Sequence, residues 1–298
     1  EIQPQQQAEL SDGTRRSFNP TSVAELSSLL EQYPAARLLA GGTDLLVQMR
    51  TGRVKPAAII DLKRIAEMTE IRETAADFEI GAAASAAAIN EHEALSAAWP
   101  GVVEAAGLIG STQIQGRASL GGNLCNASPA ADSVPALIAA GAICVIHGSA
   151  GRREAPVEQI HAGPGKTTLA RDEILVSFRL PKPAARSADA YLRLIPRTEM
   201  DIAVVGAGVA LTLDQSGTCT AARIGVGAVA PTALLVTNAA DALIGSKIDE
   251  PALEKMQAAV AAACNPISDK RGTKEYRIRT ASVLARRAAS IAKERASR

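Results

Sequence analysis

After Pro20 the run Thr21–Tyr33 sets Val23, Leu26, Leu29 and Leu30 on one helical face. Ser22 stands three residues before Glu25, the spacing of a capping box, and Pro34 closes the predicted helix. The short apolar run 37–40 predicts a strand entering Gly41-Gly42-Thr43-Asp44, and 45–50 predicts a turn or two of helix. These glycines therefore fall at a strand-to-helix junction. Residues 57–62 predict a second buried strand and 78–83 a third; 86–98 predicts a helix. An Ala/Gly-rich run at 101–110 then leads to a second glycine centre, Ser119-Leu120-Gly121-Gly122-Asn123. Beyond residue 133 strands dominate, clearest at 143–147 and 173–180, and Pro181-Lys182-Pro183 marks a linker at 181–188. In the last third, 202–213, the turn Asp214-Gln215-Ser216-Gly217 and 219–230 predict a β-meander, covered by helices at 232–244, 251–263 and 280–296.

Composition narrows the function. The 298 residues are 47% hydrophobic and 21% charged, which is the balance of a folded globular chain with its own core. Net charge is +1 and aromatics are 2%, against nucleic acid as a ligand, because phosphate chains want excess cation and single strands want stacking platforms. The longest apolar stretch, 134–146, contains Pro135 and Gly141 and is too short for a bilayer, so no membrane span is expected. Cysteines at 125, 144, 219 and 264 form no CxxC pair; neither a disulfide framework nor a cluster-ligating set is expected, and the thiols read as reduced and mostly buried. The first ten residues are Gln-rich, without a basic start or apolar core, so a flexible tail at 1–15 and a cytoplasmic protein are expected.

Phosphate-binding loops need glycine where amide N–H groups must approach oxygen closely. Gly163-Pro164-Gly165-Lys166-Thr167 ends like a P-loop, but Ile160 stands where the first glycine belongs, and a turn exposing Lys166 is the expectation. Gly225-Val226-Gly227-Ala228-Val229-Ala230 fits the dinucleotide fingerprint, yet Pro231 follows where a helix must continue. The related Gly206-Ala207-Gly208 has Leu211 at the third glycine position. The remaining two, Ala40-Gly41-Gly42-Thr43-Asp44 and Ser119-Leu120-Gly121-Gly122-Asn123, form a pair able to grip a diphosphate from both sides.

Together with LLAGGTDLL (38–46), ASLGGNLCNASPAADS (118–133), DEILVSFRLP (172–181), the Arg197 to Asp201-Ile202-Ala203 segment and SDKRGTKEYR (268–277), the chain resembles the FAD-binding medium subunit of molybdenum hydroxylases, the group of xanthine dehydrogenase and aerobic carbon monoxide dehydrogenase. The resemblance implies an α+β fold: a two-lobed FAD module of the vanillyl-alcohol-oxidase (PCMH) type at 16–183, with lobes of about 16–62 and 63–183, then a C-terminal α/β domain of the CO-dehydrogenase flavoprotein type at 188–296. It further implies FAD as cofactor, and iron–sulfur and molybdopterin partner subunits in a hetero-oligomer. The chain would pass electrons from the clusters through FAD to an external acceptor.

Carried over to this sequence, the resemblance makes Leu38, Leu39, Ala40, Gly41, Gly42, Thr43, Asp44 and Leu45 the first FAD loop, and Ser119, Leu120, Gly121, Gly122 and Asn123 the second. Asp132 matches an aspartate that contacts the cofactor, or else caps a helix starting at Ser133. Leu175 matches an apolar residue near the isoalloxazine, or else is plain core. Arg193 falls where xanthine dehydrogenases carry a lysine at the flavin site, and Ile109 where they carry an aromatic over the ring. Gln115-Gly116-Arg117 departs from the run the family has before its second loop. No catalytic residue and no metal ligand are assigned, since the three histidines at 92, 147 and 161 lack HxxxH spacing and no nucleophile elbow occurs. The alternative is a stand-alone FAD-dependent oxidase or dehydrogenase with its own substrate pocket.

Overall fold

The structure, a computed structural model, describes residues 15–298; of the tail expected at 1–15, all but Arg15 lies outside the described residues. The first helix, Val23–Gln32, begins as its sequence dictates: Ser22 Oγ accepts the Glu25 N–H at 3.1 Å. The Glu25 carboxylate accepts from Thr21 N–H at 2.8 Å, one residue before the position a capping box specifies. Val23, Leu26 and Leu30 are the buried face. The chain then forms the strand Arg37–Leu39, parallel to Ala58–Asp61, which is parallel in turn to Arg16–Phe18. Register sets Leu38 beside Ile60 and Leu39 beside Asp61. Because these two strands run the same way, the residues after Leu39 and after Asp61 leave the sheet at one edge.

A five-stranded antiparallel sheet follows, in the order Ile71–Glu73, Asp77–Gly81, Ile174–Pro181, Ile143–Gly148, Gly151–Pro156. Its strand Ile174–Pro181 shifts register between Leu175 and Ser177, a bulge of the kind that re-aims a side chain. The helix expected at 86–98 is two helices, Ala86–Asn90 and Glu93–Ala98. The break is at His92, whose Nδ1 accepts the Leu95 N–H at 3.1 Å and starts the second helix. A helix N-cap is thus what this histidine is for.

The last unit is an antiparallel sheet, Ser187–Leu194, Val205–Leu213, Cys219–Gly227 and Leu234–Leu235, backed by Thr237–Asp241, Glu250–Ala263 and Lys274–Ala296. The strand Ser187–Leu194, whose first two residues fall in the expected linker and whose remainder no strand was expected to cover, is fully paired with Val205–Leu213. Its charged residues disguise it, because Asp189 points inward. That carboxylate is 1% exposed and accepts the N–H groups of Gly101 (2.8 Å) and Val102 (3.1 Å); burial pushes it up to about 7. Arg295 adds a second tie between the units, donating to the Asp189 carbonyl at 2.7 Å and pairing with Glu104.

Across the other face of this sheet lies Ser133–Ala139, all seven residues of which are buried. A Cβ built on Gly225 would stand 2.2 Å from the Pro135 carbonyl oxygen, and one on Gly208 2.7 Å from it. The glycines that imitate a dinucleotide fingerprint are there to let this helix lie directly on the strands. Among the described residues no helix is long and apolar enough to cross a membrane.

Candidate cofactor site

The two glycine loops meet at one cleft of about 500 Å³, a volume usual for small-molecule and cofactor sites. Contact between them is direct. A Cβ on Gly41 would stand 1.9 Å from the Arg117 carbonyl oxygen, so the first loop lies flat on the residue leading into the second. Gly42 has φ +75°, a conformation side-chain-bearing residues rarely adopt. Gly121 is needed for another close approach, since its Cβ would stand 2.4 Å from the Ala82 carbonyl oxygen. Protein backbone therefore fills the space beside Gly41 and Gly121, and that, not phosphate crowding, is what excludes a side chain at either position.

The loops are not equivalent as donors. In the second, the Gly121 N–H is spent on Ala82 O (3.0 Å), that of Gly122 on Ser119 Oγ (3.1 Å) and that of Asn123 on Ser119 O (2.9 Å), while those of Ser119 and Leu120 have no partner among the described residues. In the first, the N–H groups of Gly41, Gly42, Thr43 and Asp44 have no hydrogen-bond partner among the described residues. A run of free amides beside a cleft fits the oxygens of a diphosphate.

Neighbouring side chains fix these loops. Lys63 Nζ donates to the Ala40 carbonyl at 3.0 Å and pairs with Asp61 at 2.7 Å, using the shared sheet edge to brace the first loop. Gln48 Nε2 donates to Asn126 Oδ1 at 3.2 Å, joining the helices that follow the two loops. Asn123 Oδ1 accepts from Ser133 N–H (3.1 Å) and Oγ (2.7 Å). Lys63→Met is expected to weaken FAD binding about fivefold, since the brace is one charge-assisted bond that is partly screened; titration of flavin fluorescence measures it.

Leu38, Ala40, Gly41, Gly42, Thr43, Asp44, Leu45, Ile109, Ser119, Gly121, Gly122, Asn123 and Leu175 all line this cleft. Four expected residues do not. Leu39 turns its side chain beneath Gly42, Cδ1 lying 2.9 Å from the place of a Cβ there. Leu120 is 0% exposed in the core. Asp132 and Arg193 face each other in a buried ion pair at 3.1 Å and are not among the residues lining the cleft. Burial pushes the Asp132 carboxyl up to about 6, against the pull of Arg193. Asp132 takes the N-cap position of Ser133–Ala139 without a capping bond from its side chain, because Asn123 caps that helix instead.

Lys63, Gln48, Arg37 and Arg171 are additions that reading by sequence missed; nothing in their local spacing marks them. The turn at 163–167 does expose Lys166, yet its Gly165 and Thr167 reach the cleft, with Gly165 N–H donating to Ala127 O at 2.9 Å. Of the four free cysteines, Cys144, Cys219 and Cys264 are buried, and Cys125 is exposed on the cleft wall.

A two-unit α+β chain with paired backbone loops and free amides around one cleft is the architecture of a dinucleotide-cofactor-binding protein. Residues 13–183 match the family described as FAD binding domain in molybdopterin dehydrogenase, and residues 190–292 the CO dehydrogenase flavoprotein C-terminal domain. The carbon monoxide dehydrogenase medium chain of Afipia carboxidovorans is 35% identical, over 93% of this chain and 96% of its own length. A putative xanthine dehydrogenase FAD-binding subunit of Escherichia coli K12 is 31% identical, over 91% and 93%. A solved structure of carbon monoxide dehydrogenase from Hydrogenophaga pseudoflava, lacking the Mo-pyranopterin moiety, superposes with a TM-score of 0.90 at 34% identity, covering 94% of this chain and 98% of that one. The chain belongs to the FAD-binding medium subunits of the molybdenum hydroxylase family, and FAD is its cofactor.

Proposed function

We propose that this chain passes electrons from iron–sulfur clusters on a small partner subunit, through FAD, to an external acceptor, while a large molybdopterin-carrying partner performs the substrate chemistry. The observation that carries it is the meeting of the two loops, with four unpartnered amides of the first on residues that line one cleft. The N–H groups of Gly41 to Asp44 hold the diphosphate, and Lys63 keeps their loop in place through the Ala40 carbonyl. Leu175, beside the register shift in its strand, and Ile109 supply apolar surface that shields the ring from water. When bound, FAD supplies the exchange between one-electron carriers and a two-electron acceptor.

The test is purification of the tagged chain from its native cell under mild conditions. A short cysteine-rich chain and a long chain are expected to come with it, together with flavin, iron and molybdenum. Flavin-loaded chain alone, reduced directly by a substrate with no metal-bearing partner, would favour the stand-alone oxidase and remove the relay.

A further inference from the structure

The helix Pro100–Ala106 begins without a cap of its own. Trp99 holds the N-cap position and its side chain makes no capping bond; its Nε1 donates instead to the Pro181 carbonyl at 2.8 Å. Pro100 has no N–H to satisfy, so the first donors in need of partners are those of Gly101 and Val102. Both go to Asp189, on the strand Ser187–Leu194 of the last sheet, one to each carboxylate oxygen. An N-cap aspartate does the same for its own helix; here the carboxylate comes from the other domain. Gly101 makes the approach possible, since a Cβ there would stand 2.5 Å from Asp189 Oδ2.

The same strand is an edge of its sheet, paired on one side only, with Val205–Leu213. Its outward backbone groups are met by charged side chains. Tyr191 N–H donates to Glu104 Oε2 at 3.1 Å, and Arg295 joins the Asp189 carbonyl to the Glu104 carboxylate. Glu104 belongs to the helix Pro100–Ala106 and Arg295 to the helix Lys274–Ala296. These are the charged groups that face Asp189, so the cluster holds two carboxylates and one guanidinium.

A serine or aspartate at position 99 would cap this helix without burying a charge between domains. What the borrowed cap specifies is the seat of the helix on the sheet edge. The helix runs directly into Gly107, Leu108, Ile109 and Gly110, with Gln115 Nε2 donating to the Gly107 carbonyl at 2.6 Å, and Ile109 lines the cleft. Because Val102, Ala105 and Ala106 are all buried in close packing, a shift at the first turn of the helix is carried to its last.

We propose that Asp189 is a positioning residue: it seats the helix Pro100–Ala106 on the edge of the last sheet, and the helix in turn presents Ile109 to the cleft. The proposal rests on the FAD reading of that cleft. Asp189 is not among the residues lining it and acts through Ile109.

Seating and stability respond to pH in opposite directions. Burial pushes the Asp189 carboxyl up to about 7, against the Gly101 and Val102 N–H bonds and Arg295. The folded chain therefore keeps a proton that the unfolded chain releases at about pH 4, and stability present at low pH is lost as pH rises through 7. The ionised carboxylate is nevertheless the stronger acceptor for the two N–H groups, so the helix is seated most firmly above pH 7.

The experiment reads FAD affinity by fluorescence titration and folding by thermal melt, on the full chain, at about pH 6 and about pH 8, in the parent, Asp189→Asn and Ile109→Ala. In the parent, affinity is expected to rise about fivefold from the lower to the higher pH while the melting temperature falls by roughly 3 °C. Asp189→Asn is expected to bind FAD about fivefold more weakly than the parent at the higher pH, with both slopes gone. Ile109→Ala is expected to keep the falling melt while its rise in affinity shrinks to less than about twofold, because the seated helix then has no side chain to deliver. An affinity that is flat in the parent, or that falls together with the melt as a purely structural role would make it, overturns the proposal. So does an undiminished rise in affinity in Ile109→Ala or in Asp189→Asn. Should Asp189→Asn fail to fold, the parent and Ile109→Ala profiles decide alone. Failure of the FAD reading looks different: the parent would bind no FAD at either pH.

Discussion

Gly41→Val abolishes FAD retention: after gel filtration, the flavin-to-protein absorbance ratio is expected to fall below about a tenth of the parent value. The reason is backbone against backbone. A Cβ at 41 would stand 1.9 Å from the Arg117 carbonyl oxygen and 2.5 Å from its carbon, neither of which is the movable end of a side chain. Arg117 has little room to retreat, because its N–H and that of Ala118 both donate to Ile114 O, at 2.9 and 2.8 Å, and the Ala118 carbonyl is held by Ala86 N–H. The first loop must therefore lift off the second, taking the free amides of Gly41 to Asp44 out of register with the cleft. Gly116→Ala is the matched control, since its Cβ meets nothing nearer than Gln113 O at 3.8 Å. Full flavin occupancy in Gly41→Val would remove the close approach from the account.

Leu120→Ala is expected to separate stability from binding. This side chain is 0% exposed and belongs to the first domain's core, so truncation should cost about 3 kcal/mol and lower the melting temperature by roughly 10 °C. FAD affinity, measured well below the melt, should change by less than about threefold, because the loop's glycines and the Ser119 cap remain. A large loss of affinity with an unmoved melt would return Leu120 to the cofactor's contacts.

Some of this architecture is readable from local pattern alone. The first helix is announced by Ser22, Glu25 and an apolar stripe, and the observed helix starts at Val23. The glycine pairs announce themselves because only backbone can come so close to backbone or to phosphate. Other features depend on what the chain meets elsewhere. The strand Ser187–Leu194 carries Asp189 inward, which pattern alone assigns to solvent; only the amides of Gly101 and Val102, far away in sequence, make that position habitable. His92 interrupts an Ala-rich helical run through a cap that composition does not foretell. Gly208 and Gly225 look like nucleotide glycines until the helix carrying Pro135 is laid across them. The inequality of the two loops is equally invisible in sequence, since it turns on the Ala82 carbonyl taking the Gly121 N–H. Asp132 and Arg193 stand 3.1 Å apart only through domain packing, a pairing that motif matching does not foretell.

The most direct measurement is a crystal structure of the FAD-loaded chain. Diphosphate oxygens are expected about 3 Å from the amide nitrogens of Gly42 and Thr43, with the ring end toward Ile109 and Leu175. A diphosphate bound away from residues 41–44, with those amides still facing solvent, would contradict the account.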